Sequence, residues 1–246
     1  MPSFFEGLTL VLSLVALLIA FFGSERIWER LRPPNLTCKV EDPHFTQLGV
    51  PPTGVPCLFS RLIIANDGYS MAEDVEVYAS ALYRMHPVTG VAELEHEFPA
   101  MDLKWAHVGM TRQKIAAGLS KPCDLGCVAD FAPGEHPLVE VARERSRLSC
   151  QSRLLVLSTE VEPYTARHIL GEGHYKLHLK IASANAPLLV AVLEIAVTGT
   201  WSPTEPERVF KVKLLETNIS PSCCDRITGR LDRIEQRLNR RLAPET

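Results

Sequence analysis

The sequence predicts a mainly β, two-sheet sandwich, with one apolar helix before it and one amphipathic helix after it. Three observations carry this. The 246 residues include 18 prolines but only 7% aromatics, a composition of short elements joined by many turns. Several stretches alternate apolar and polar residues with the period of a half-buried strand. A single uncharged apolar run, Leu8 to Phe22, stands near the start.

That run lies within an uncharged stretch from Gly7 to Ser24. At about 1.5 Å per residue, roughly 18 helical residues approach the 30 Å hydrocarbon thickness of a bilayer, and a helix satisfies its own backbone there. Leu8, Leu12, Val15, Leu18 and Phe22 are the expected spanning residues. Arg26, Trp28 and Arg30 follow where interfacial side chains sit. A cleaved signal peptide or a buried core helix are the alternatives. The first has neither a basic n-region nor a small-x-small site to support it. Positive charge follows the run at Arg26, Arg30 and Arg32, with only the α-amino group before it. The positive-inside rule then puts the N-terminus outside and the rest of the chain in the cytoplasm. Seven cysteines in no tidy spacing point the same way, being unlike a secreted disulfide framework. The opposite topology would place the domain outside the cytoplasm.

The chain divides into an anchor with its extension (1–32), a sandwich (33–220) with an irregular insertion around 109–153, and a tail (221–246). Pro33-Pro34 ends the first helix. Leu36 to Val40 alternates as a strand, and residues 42–56, with four prolines, read as a loop. Leu58 to Ala65 and Ala72 to Tyr83 are strands on either side of Asn66-Asp67-Gly68, residues that favour a turn, so they are expected to pair as antiparallel neighbours. Val75, Val77, Ala79 and Ala81 share the inner face of the second. Leu154 to Leu157 is a buried strand. Tyr175, Leu177, Leu179 and Ile181 point inward from the next, with His174, Lys176, His178 and Lys180 outward. Leu188 to Val197 and Val209 to Leu215 complete about seven strands.

The stretch Ile63-Ile64-Ala65-Asn66-Asp67-Gly68, Ala72 and Val75-Glu76-Val77 resembles the immunoglobulin-like β-sandwich modules of bacterial membrane-tethered proteins. The resemblance covers about 25 residues and implies an immunoglobulin-like architecture but no activity.

In the tail, Asp225 to Leu242, the residues Ile227, Leu231, Ile234 and Leu238 repeat at heptad spacing among six arginines. A helix this short is marginal alone, so its seam needs a surface: its own sandwich, a second copy in a homo-oligomer, or anionic lipid.

Chemistry is sparse. Cys123 and Cys127 are open to a disulfide, a metal site or plain burial, and adjacent Cys223-Cys224 make a poor second ligand pair. His174 and His178, like Glu93, Glu95 and Glu97, read as exposed strand faces. No hydrolase, phosphate-loop, zinc-protease or dinucleotide motif occurs, and no cofactor is called for. A net charge of −3 gives no reason to expect nucleic acid. The expected function is a single-pass membrane protein that is not an enzyme. It would use the bilayer as anchor and present its sandwich to a protein partner for binding or scaffolding. The alternatives are an extracytoplasmic domain for envelope protein or glycan, and a hydrolase or redox site in 109–153.

Overall fold

The computed structural model describes residues 11–17, 20, 32–50, 55–106, 111–131, 139–141, 144, 153–198 and 205–219, without the side chains of 45–50 and 207. Its strands are β1 Leu36–Val40, β2 His44–Val50, β3 Val55–Asn66, β4 Ala72–Met85, β5 Ala92–Leu94, β6 Met101–Asp102, β7 Gln113–Ile115, β8 Ser120–Asp130, β9 Arg153–Leu157, β10 Ile169–Leu170, β11 Gly173–Ala182, β12 Leu189–Val197 and β13 Phe210–Ile219. They form two antiparallel sheets. The first runs β1-β3-β8-β9-β10, with β2 also on β3, and the second runs β13-β12-β11-β4-β5, with β6 and β7 also on β4. One core fills the space between them, from Leu58, Leu62 and Ile64 of the first sheet to Leu177, Leu179, Leu193 and Ile195 of the second. The segment 101–106 belongs to both sheets. Met101 and Asp102 pair with β4, and Trp105 then bridges to Cys123 on β8.

Residues 11–17 and 20 are helical and exposed. Among the described residues, no helix is long and apolar enough to cross a membrane. The rest of the expected anchor, including Leu8, Leu18, Phe22, Arg26, Trp28 and Arg30, lies outside the described residues, as does the tail with Ile227, Leu231, Ile234 and Leu238.

The strands that flank Asn66-Asp67-Gly68 do not pair. β3 sits in one sheet and β4 in the other, so the turn is an arch across the core instead of a hairpin. Asn66 is fully buried and explains this. Its Oδ1 accepts from the amides of Asn35 (3.1 Å) and Gly68 (3.0 Å), and its Nδ2 donates to the carbonyls of Ser70 (2.7 Å) and Ile115 (3.0 Å). One side chain thus ties together β1's entry, the arch and β7. Gly68 is needed by close approach: a Cβ there would meet Asn35 N at 2.4 Å and Pro33 O at 2.6 Å.

Within the stretch expected to be irregular, 109–153, the structure places β7 and the long strand β8, which pairs with both β3 and β9. β8 hides from a periodicity search because its register on β3 shifts between Ser60 and Arg61, leaving Leu125 as a bulge residue that switches faces. Cys123 and Leu125 therefore point into the main core, whereas Cys127 and Ala129 point to the other side of the sheet. There they join Cys57, Phe131, Val139, Leu154 and Ile169 in a second, smaller core. Of the readings open for Cys123 and Cys127, the structure shows buried free thiols, which the bulge sends to opposite faces of the sheet. A similar shift opposite Ser80 turns Leu82 inward in place of Ala81, which is half-buried. The inward set Tyr175, Leu177, Leu179 and Ile181 is buried as its alternation requires.

Candidate functional site

The two ends of the sandwich differ in chemistry. At the end opposite the arch, β4 runs out beside β5 and β11, and the register sets Arg84 between Glu93 and Tyr175. The Arg84 guanidinium lies over the Tyr175 ring, 5.7 Å from its centroid, and its Nη2 donates to the Tyr175 hydroxyl at 3.4 Å. That hydroxyl donates in turn to the Gly171 carbonyl at 3.0 Å. Burial pushes the Tyr175 phenol above its ordinary value, against the opposing pull of Arg84.

Arg84 divides two cavities. One, of about 130 Å³, has Leu82, Phe98 and Tyr175 as its apolar wall and Glu95, Glu97 and Arg167 at its mouth; Arg167 and Glu97 form an ion pair. The other, of about 340 Å³, is lined by His86, Pro87, Glu93, Glu172 and His174. His86 Nδ1 accepts the amides of Val88 (3.3 Å) and Thr89 (3.2 Å), which fixes the turn that closes this side. Glu172 is also paired to Arg153 Nη1 at 3.3 Å. Across both cavities four carboxylates, Glu93, Glu95, Glu97 and Glu172, face two guanidiniums, Arg84 and Arg167.

Drug-sized ligands occupy pockets of roughly 300–1,000 Å³, so the smaller cavity fits a side chain and the larger lies at the lower end of that range. The Tyr175 hydroxyl is already committed as a donor to the Gly171 carbonyl. Among the described residues, no group of three or more His, Cys, Asp or Glu is placed to hold a metal ion.

The site joins some of the residues singled out by sequence and separates others. Glu93, Glu95 and Glu97 come to the cavities, though only Glu95 is half-buried. His174 lines the larger cavity, whereas His178 lies farther along β11 with its ring 4.9 Å from that of Tyr83. Cys57 and Cys127 hydrogen-bond each other in the second core; the contact holds the Cys57 thiol below its ordinary value and Cys127 above it. Arg84, Arg167 and Tyr175 carry the site, and only the inward phase of Tyr175 was visible in the sequence. No family model, no curated protein and no solved structure matches the chain.

Proposed function

We propose that the protein is a single-pass, membrane-tethered binding or scaffolding module, without enzymatic activity, that presents the Arg84 cleft to a protein partner. One observation carries this reading: the described chain enters and leaves the sandwich at the end opposite that cleft. Pro33 to Asn35 pack on the arch at Gly68, and Ile219, the last described residue, pairs with Leu189 beside the same end. β4 crosses the whole length, and its 14 residues at about 3.3 Å each span roughly 45 Å. A tether at either terminus therefore holds the cleft away from the bilayer. The excess of carboxylates favours basic side chains on the partner.

An immunoglobulin-like arrangement is the finer fold reading. Immunoglobulin sandwiches set strands A, B and E against C, F and G, with C′ beside C where present. Here β1, β3 and β8 face β5, β4, β11 and β12, with β9 and β13 as additions at the edges. By the positive-inside rule the sandwich is cytoplasmic, and the tail seam of Ile227, Leu231, Ile234 and Leu238 offers a second contact, with a copy of the chain.

The test is photo-crosslinking from position 91 of the full chain in native membranes, comparing wild type with Glu93→Lys/Glu172→Lys. The reading expects a discrete protein adduct that charge reversal abolishes. An adduct pattern indifferent to the reversal would sink it.

A further inference from the structure

We infer that the arch end is itself a lipid-contacting surface, resting on the headgroup region of an anionic leaflet. The inference rests on the tethered reading and names the surface that the tether brings to the membrane.

Large apolar side chains stand exposed at this end, where a sandwich ordinarily shows polar turn residues: Tyr69 is 78% exposed, Leu119 60%, Ile219 57% and Met71 46%. Tyr69, Met71 and Leu119 lie on turns that meet around Asn66, and Ile219 ends β13 opposite Leu189. Asn66 bonds Gly68 and Ser70 of the arch through its side chain, and its own amide donates to Leu119 O at 3.0 Å. Asn185 of the β11–β12 turn joins the group by donating to Met71 O at 2.8 Å. Tyr69, Met71 and Leu119 are thus mounted on a turn cluster locked by internal hydrogen bonds, and no described segment covers them.

Lipid, among apolar occupants, is indicated by where the chain comes from. The Arg32 guanidinium lies over the Tyr69 ring, 5.6 Å from its centroid. Arg32 lies only ten positions after Phe22, the end of the apolar run. Even fully extended, ten residues reach about 35 Å, and as a helix about 15 Å, so the arch end cannot stand far from the bilayer. A tyrosine beside an arginine is the side-chain pair expected at the membrane–water boundary. Two acids at this end are engaged: Asp67 accepts from the Thr37 hydroxyl at 2.9 Å, and Glu73 pairs with Lys114 at 3.2 Å. Positive charge dominates the chain on both sides of the domain, with Arg26, Arg30 and Arg32 before it and six arginines between 225 and 242 after it. An anionic leaflet complements both.

The test uses the full chain in phosphatidylcholine–phosphatidylglycerol vesicles, with p-benzoylphenylalanine in place of Tyr69, Met71 or Leu119, and at Val88 and Val91 of the far turn as controls. Alkaline carbonate extraction is run alongside. The inference expects phospholipid adducts from positions 69, 71 and 119 and none from 88 or 91. Chain-to-chain adducts from 69, 71 and 119 would assign the patch to a second copy and overturn it. No adduct from a carbonate-resistant chain overturns the lipid contact but leaves the tether standing. No adduct from an extractable chain removes both. Adducts from an extractable chain keep the contact and discard the spanning anchor.

Discussion

The arch end and the cleft end differ in how they use their polar groups. At the arch, polar groups are consumed inside the fold: Asn66 spends both side-chain atoms on four hydrogen bonds, and apolar side chains are left outside. At the cleft, apolar groups such as Leu82, Phe98 and Tyr175 form the wall and charged groups are left at the mouth, beside a turn that exposes Val88 and Val91 as well. The first end is tied by hydrogen bonds within the fold. The second has charge to offer a partner.

The comparison breaks most severely at Asn66. In Asn66→Asp the Nδ2 donor becomes an oxygen facing the carbonyls of Ser70 and Ile115. Unsatisfied buried partners cost about 1–3 kcal/mol each, and more with charge. The expected loss is about 4 kcal/mol or more, seen as a shift of the urea midpoint or as failure to fold.

Alkaline pH separates the ends next. Burial raises the Cys38 thiol to about 12 and Cys123 well above its ordinary value. These thiols stay protonated in the fold while the unfolded chain ionises, so their contribution is intact below about pH 9 and is lost as pH rises toward 12. Each accounts for about 1.4 kcal/mol per pH unit across that window. Urea titrations at pH 8, 9 and 10 should show the fall, and Cys38→Ala should make it shallower.

Glycine substitutions sharpen the contrast at smaller scale. Gly68→Ala drives a Cβ onto backbone atoms of residues 33–35 and should cost about 2–3 kcal/mol, as overpacking does. Gly90, in the far turn, has open space but a φ of +66°, so Gly90→Ala should cost only about 1 kcal/mol. Paired thermal melts read both.

The strands legible in the sequence were those with clean alternation: β1, β4, β11 and β12 emerge within a few residues of their expected bounds. β8 was not, because Ser120–Asp130 carries Pro122 and Gly126 and changes its inward face at the bulge, so neither propensity nor period announces it. The arch was misread as a hairpin because a turn sequence states that the chain reverses, not which sheet it joins. That choice is made by Asn66 bonding to Asn35 and Ile115, 31 and 49 residues away. The cleft was hidden for the same reason: Arg84 and Tyr175 stand 91 residues apart, and only the β4–β11 register brings them together.

The most direct test of the account is energy transfer from a fluorescent amino acid to acceptor lipids, placed at position 69 or at position 88 of the full chain in vesicles. The account predicts strong transfer from 69 and weak transfer from 88, since β4 separates them by about 40 Å. Equal transfer from both, or stronger transfer from 88, would show a domain lying flat or inverted on the membrane and contradict the division between a tethered end and a presented one.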